Sequence, residues 1–113
     1  MSGTRLVATP FPYDAVKAAL LALPRVETAP LELGRMIEQG KRLGWSREML
    51  EGHEALRAGG RCLTFRQNQP PWARGTLWED NVFFEFVDEK EERAVRPLIE
   101  ELAARLGLKS VEY

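Results

Sequence analysis

The sequence has very little cysteine and histidine, with one residue of each, Cys62 and His53. A single cysteine excludes an intramolecular disulfide, and these two residues are too few for a zinc site built from several cysteines and histidines. We therefore predict no metal and no cofactor. A free thiol is typical of a reducing compartment, so we expect a cytoplasmic protein.

Long apolar runs are also missing. The longest, Ala18–Leu23, has six residues, far fewer than the roughly 20 that a membrane-spanning helix needs. Pro10 and Pro12 interrupt the apolar start of the chain before it could form a signal-peptide core. We expect neither a membrane span nor a targeting segment.

The chain carries almost no net charge, since 16 basic and 17 acidic residues give −1. This balance argues against a surface built throughout to hold phosphate backbones. With 113 residues, 44% of them hydrophobic, the chain has the size and composition of one domain over residues 1–113. The 12 arginines against 4 lysines and 14 glutamates against 3 aspartates resemble a bias reported for some heat-adapted proteins, which predicts a thermostable protein.

Apolar spacing and capping residues predict four helices and four strands. Ser46 and Asp88 are expected to cap the third and fourth helices. The predicted elements are a strand Thr4–Thr9, a helix from Pro12 to Leu23, a helical hairpin of Leu31–Leu43 and Ser46–Ala58, strands Arg61–Gln67 and Val82–Val87, a helix that follows Asp88 and ends before Gly107, and a closing strand with Val111 and Tyr113 facing inward.

This order favours an α+β fold with a mixed or antiparallel sheet. Without the helical hairpin, residues 31–58, the elements follow the βαββαβ order of ferredoxin-like folds. The predicted architecture is therefore a ferredoxin-like sheet with the hairpin inserted after the first helix, and a generic α+β sheet is the alternative. The segment Asn68–Asn81 is expected to be a long loop, because it contains Pro70 and Pro71.

Alternation in the two predicted central strands separates a core face from a second face. With Phe84 and Phe86 in the core, Phe83, Glu85 and Arg66 project from the opposite side. We expect the two strands to be neighbours, with Arg66 and Glu85 within salt-bridge distance. The second face is half apolar, so it needs a cover, either the helical hairpin or a second subunit.

The segment 67–81 concentrates residue types that are common in binding sites. Trp72, Arg74 and Trp78 belong to types enriched at interaction hot spots, and the Gln67 amide can both donate and accept. The alternative is that the two tryptophans close the edge of a small core. The candidate binding residues are Arg66, Gln67, Trp72, Arg74, Trp78, Phe83 and Glu85.

Three functions are compatible with these residues. The favoured hypothesis is a non-enzymatic domain that binds itself, as a homodimer, or a protein partner through the second sheet face and the 67–81 segment. A module for single-stranded nucleic acid is the rival, with stacking and phosphate contacts from Arg61, Arg66, Trp72, Arg74 and Trp78. A small-substrate enzyme comes third, with Glu85, Arg66 and His53 as candidate groups, although His53 fits a hydrogen-bonded core histidine better.

Overall fold

The structure, a computed structural model, describes residues 2–112. In chain order the elements run β1, α1, β2, α2, α3, β3, β4, β5, α4, β6. The strands are β1 (Ser2–Val7), β2 (Val26–Pro30), β3 (Leu63–Gln67), β4 (Arg74–Leu77), β5 (Asn81–Phe86) and β6 (Lys109–Glu112), and the helices are α1 (Tyr13–Leu21), α2 (Leu33–Leu43), α3 (Arg47–Gly59) and α4 (Glu89–Leu106). The predicted α+β class is confirmed.

One six-stranded sheet has the order β2-β3-β4-β5-β1-β6, and every neighbouring pair is antiparallel. Strands two or four places apart therefore run in the same direction. Two pairs of strands that follow each other in the chain are parallel, β1 with β2 and β5 with β6. A helix connects each pair, α1 the first and α4 the second. None of the helices within residues 2–112 is long and apolar enough to cross a bilayer.

The core lies between one face of the sheet and the two helices α1 and α4. Phe84 and Phe86 of β5 have no exposed surface and pack with Ile99 of α4 and Val16 of α1. The rings of Phe65 and Phe84 meet edge to face, with centroids 5.3 Å apart. Because residues on a strand alternate between faces, the side chains between these core residues point away from both helices.

Two strands that the sequence did not predict enlarge the sheet. β2 was missed because its five residues, VETAP, show no apolar alternation and lie exposed at the sheet edge. β4 lies within the segment predicted as a long loop, so that prediction was wrong. Gly75 in β4 hides the strand pattern, yet the position requires glycine, since a methyl group there would overlap the backbone carbonyl of Phe83.

The helical hairpin of α2 and α3 forms as predicted, within two residues at each end. Gly44 ends α2 in the left-handed conformation, and the Ser46 hydroxyl caps α3 by accepting a bond from the Met49 amide. The Trp45 ring lies against Gly40, where a larger residue would collide with it. The hairpin joins the sheet at β2 and β3, where the Leu31 amide donates to the Cys62 carbonyl.

The closing strand, β6, pairs with β1, but the predicted inward orientation of Val111 is wrong. Val111 is 39% exposed and lies opposite Arg5, on the face away from the helices. Tyr113, the other residue expected to face inward, lies outside the described residues. The side of β6 that faces the helices carries Glu112, which binds Arg96 of α4 through contacts of 2.7 and 3.3 Å.

Candidate interaction surface

The sheet face opposite α1 and α4, here called the open face, carries a depression of about 360 Å³. Strands β2, β3, β4 and β5 all contribute to its lining, and α2 and α3 contribute no residue. The sequence left open whether the hairpin or a second subunit covers this face. The hairpin leaves the depression uncovered. The lining residues are Glu27, Thr28, Ala29, Thr64, Phe65, Arg66, Arg74, Gly75, Thr76 and Glu85.

Charged side chains of both signs cross the depression in one row. Glu27 lies opposite Arg66, and Arg66 lies opposite Arg74 in the next strand. Extending the β4–β5 register by one residue places Glu85 beside Arg74. The row therefore holds two cations between two anions and has no net charge.

Arg74 is drawn out of this row toward the first turn of α4. Its guanidinium lies 3.3 Å from the Glu91 carboxylate, and both side chains are largely buried. The Arg74 Nε and one Glu91 oxygen are buried without a hydrogen bond. Because Glu91 neutralises Arg74, the like charges of Arg74 and Arg66 repel each other less than their register suggests.

Arg66 and Glu85 lie on the same face, as expected, but they do not form the predicted pair. The strands β3 and β5 are not neighbours, because β4 lies between them. Among residues 2–112, no carboxylate comes within 4 Å of the Arg66 guanidinium and no cation comes that close to Glu85. The prediction of adjacent strands was wrong, and neither charge has an ion-pair partner among the described residues.

Phe83 provides the apolar part of the open face. Its ring lies against Gly3 of β1, where a larger residue would overlap it. The Arg5 guanidinium sits 5.0 Å from the ring centroid and donates to the Asn81 side chain at 2.6 Å. One side of the ring is thus occupied by a cation from the same chain. Thr64 and Thr76, with small side chains, separate Phe83 from the sheet edge at β2.

Gln67, predicted as a binding residue, is 2% exposed and belongs to the interior. Its amide nitrogen donates to the Pro24 carbonyl at 3.2 Å, and its side-chain oxygen accepts from the Ala73 amide at 3.4 Å. The side chain therefore links the turn between α1 and β2 to the turn before β4. Buried amides that bridge backbone groups in this way stabilise a fold, and this one is not available to a ligand.

The two tryptophans of the 67–81 segment lie at opposite ends of β4. Trp72 precedes the strand, is 52% exposed and has a positive φ of 65°. Trp78 follows the strand in the turn to β5 and is half-buried, with its amide bonded to the Asn81 carbonyl. The segment therefore does not present one continuous surface, and of the two tryptophans Trp72 is the more accessible.

The groups considered for catalysis are dispersed. Nδ1 of the His53 ring, in the hairpin, donates to the Met49 carbonyl oxygen at 2.8 Å, and the ring packs 4.9 Å from the Trp45 ring. Burial raises the pKa of the Cys62 thiol, which keeps it protonated and poorly nucleophilic. Within residues 2–112, no three His, Cys, Asp or Glu side chains form a possible metal site.

Glu27 and Thr76 are residues of the open face that sequence reasoning missed, and Thr76 is buried there at 9% exposure. Thr64 and Thr76 face each other across β3 and β4, and Glu27 enters the row of charges from β2. Arg66 could have pointed to further residues of this face. If the sheet extends on both sides of β3, a residue of each adjacent strand must lie opposite Arg66. Without β2 and β4 in the predicted sheet, no such neighbour existed.

No family model, curated protein or solved structure matches this chain. The geometry of the open face therefore carries the functional argument.

Proposed function

We propose that this chain is a non-enzymatic, self-associating domain whose open face packs against the open face of a second copy. The observation that carries the proposal is the pair of unpaired, opposite charges on an uncovered sheet. Arg66 in β3 and Glu85 in β5 lie one strand to either side of β4, and neither has a partner within 4 Å in residues 2–112. The two side chains are thus placed symmetrically about β4, each one strand away from it.

A twofold axis along β4 makes this arrangement self-complementary. Such an axis exchanges the two sides of β4, so Arg66 of one copy faces Glu85 of the other, and the reverse pair forms at the same time. Arg74 lies on the axis but is held by Glu91. The axis brings the two copies of Arg74 together, each neutralised by its own Glu91, and the interface buries two new ion pairs.

The sizes of the side chains on the open face support the same twofold axis. Phe83 lies in β5, in the row that also contains Thr76 of β4 and Thr64 of β3. Rotation about β4 brings Phe83 of one copy over Thr64 of the other, so a large ring meets a small side chain in the depression. Trp72, which is 52% exposed, immediately precedes the β4 residues that lie along the axis.

Single-stranded nucleic acid is the second candidate, and the adjacent guanidinium groups of Arg66 and Arg74 favour it. Trp72 is exposed enough to stack on a base, whereas Arg5 already occupies one side of Phe83. Glu27 and Glu85 would also lie close to the phosphates. Self-association gives Glu85 a cationic partner, and nucleic-acid binding does not.

The sheet topology is compatible with a ferredoxin-like core. The elements β1, α1, β4, β5, α4 and β6 follow the βαββαβ order, and their strands are arranged β4-β5-β1-β6. In this interpretation β2, α2, α3 and β3 form one βααβ insertion, which adds two strands at the sheet edge. The free, buried cysteine and the composition support a cytoplasmic, thermostable protein.

The test compares two charge reversals by sedimentation or light scattering over a range of protein concentrations. Glu85→Arg places two cations opposite each other in the proposed interface, so we expect a lower mass than for the wild-type chain. Glu100→Arg, on the exposed side of α4, changes the net charge equally and should keep the wild-type mass. A wild-type chain that stays at 12.9 kDa, or two variants that behave alike, would contradict the proposal.

The same samples separate self-association from the nucleic-acid candidate. If nucleic acid is the ligand, binding of a single-stranded oligonucleotide should weaken steeply with salt and should weaken further in Trp72→Ala/Arg74→Ala. We expect no binding at physiological salt. Tight binding under those conditions, together with a monomeric protein, would favour the second candidate.

A further inference from the structure

A groove of about 260 Å³ lies between α1 and the edge of the sheet at β2. Residues of α1, of β2 and of the segment from Gly60 to Leu63, which leads into β3, line it. Among the described residues, only Thr28 and Ala29 line both this groove and the depression of the open face. The groove is therefore a second, nearly separate depression in the same chain.

The charges of the groove are all of one sign. Lys17 and Arg61 contribute to its lining, and no Asp or Glu of the described residues does. No carboxylate of residues 2–112 comes within 4 Å of the Lys17 ammonium. Arg61 has Asp14 at 3.9 Å, but the Asp14 side chain is 95% exposed, so water screens this contact. An anion in the groove would meet two cations and no lining carboxylate, whereas the open face carries charges of both signs.

The Arg61 guanidinium is held in position by Tyr13. It lies 4.0 Å from the centroid of the Tyr13 ring, and the Tyr13 hydroxyl donates to the Arg61 carbonyl oxygen. The ring itself is buried, so it is a fixed support for the cation. A guanidinium stacked on an aromatic ring still presents the N–H groups of its edge to an anion. Because this side chain is ordered before binding, a ligand gains more from the contact.

The groove also has an apolar part, which lies further along α1. Tyr13, Lys17 and Leu21 recur every four residues, so they share one face of the helix and follow each other about 6 Å apart along its axis. The Leu21 side chain is 50% exposed. The lining therefore runs from the Arg61 guanidinium at Tyr13, past the Lys17 ammonium, to the uncovered apolar surface of Leu21.

We infer that this groove binds a small aliphatic carboxylate. The carboxylate group lies between Arg61 and Lys17, and the tail lies along α1 against Leu21. Ligand pockets have volumes of about 300–1,000 Å³, so a groove of about 260 Å³ fits a short tail. A carboxylate carries a single charge, which is less costly to desolvate between apolar side chains than the two charges of a phosphate monoester.

The test titrates the wild-type chain with hexanoate and follows the NMR shifts of backbone amides. The amides of Lys17, Gly60 and Leu63 should shift and reach saturation. Acetate has the charge without the tail, and hexylamine has the tail with the opposite charge. Each should bind at least about tenfold more weakly than hexanoate, since the first loses the apolar contact and the second loses both charge-assisted bonds.

Three lysine variants test the role of the cation. Lys17→Gln removes the charge with little change in length, and we expect it to weaken hexanoate binding by about tenfold. Lys17→Arg keeps the charge and should keep most of the affinity. Lys109→Gln is the matched control, because it changes the net charge equally but lies in β6, at the opposite edge of the sheet. It should bind hexanoate like the wild-type chain.

Three results would overturn the inference. They are the absence of saturable shifts with hexanoate in the wild-type chain, equal affinities for hexanoate and hexylamine, and equal affinities of Lys17→Gln and Lys109→Gln. The outcome is independent of self-association through the open face. Glu85→Arg should bind hexanoate with wild-type affinity whatever its mass in solution, so the groove and the open face can fail separately.

Discussion

The two faces of the sheet differ sharply although the same strands build both. Along β5, Val82, Phe84 and Phe86 are completely buried against α1 and α4, while the intervening Phe83 and Glu85 are half-buried on the open face. One face is thus covered by helices of the same chain, whereas the other carries a depression and two charges, Arg66 and Glu85, with no ion-pair partner among residues 2–112. The comparison teaches that the same residue type is fully buried under the helices on one face and half-buried beside Arg5 on the other.

The largest expected effect on stability comes from removing one phenylalanine ring from each face of the sheet in turn. Phe84→Ala should lower the free energy of unfolding by about 3–5 kcal/mol, because it leaves a cavity in the core. Phe83→Ala should lower it much less and should instead weaken self-association. Urea unfolding at low protein concentration measures the first quantity and light scattering the second. Equal losses of stability in both variants would mean that the faces do not differ as described.

Gln67→Ala tests the assignment of a predicted binding residue to the interior. The change leaves the Pro24 carbonyl and the Ala73 amide without their side-chain partner, so we expect a loss of about 1–3 kcal/mol in stability. The mass in solution should not change at concentrations where the protein is folded. Urea unfolding and sedimentation provide the two measurements. A Gln67→Ala variant with altered self-association and wild-type stability would show that Gln67 belongs to the binding surface and not to the interior.

Glu112 gives a smaller, pH-dependent effect on the helix-covered face. Hydrogen bonds from Arg96 and Thr4 hold the pKa of the Glu112 carboxyl below its ordinary value of 4.5. Its stabilising contribution is therefore complete above pH 4.5 and is lost as the pH falls through the lowered pKa. The side chain is 57% exposed, so solvent screening limits the effect to less than about 1 kcal/mol.

The measurement for Glu112 is the stability of the wild-type chain and of Glu112→Gln as a function of pH. The difference between the two should be largest near neutral pH and should shrink in acid. A difference that stays constant with pH would show that the carboxylate charge does not stabilise the attachment of β6 to α4.

The parts of the fold with strong local signals were predictable from the sequence. Ser46 and Asp88 cap their helices through the side-chain bonds expected for these residues, and the alternation of β5 identified its two faces. Strands β2 and β4 were not predictable, because the first is an exposed edge strand ending at Pro30 and the second contains Gly75. Their positions depend on pairing with distant strands rather than on local pattern.

The missed strands β2 and β4 also limited the prediction of the candidate surface. Arg66, Phe83 and Glu85 were assigned to the correct face, since that assignment needs alternation alone. Their distances were not predictable, because an unrecognised strand separates β3 from β5. The pair expected within one chain becomes, in our proposal, a pair between two chains, because β4 places Arg66 and Glu85 symmetrically on its two sides.

The central claim, that Arg66 of one copy contacts Glu85 of another, is tested most directly by mixing two charge-reversed variants. Arg66→Glu alone and Glu85→Arg alone should each lose association through the open face, because like charges then meet across the axis. In an equimolar mixture, both contacts of the mixed pair regain opposite charges, so we expect association to return. Light scattering that shows no gain in mass on mixing, or full association of either variant alone, would contradict the account.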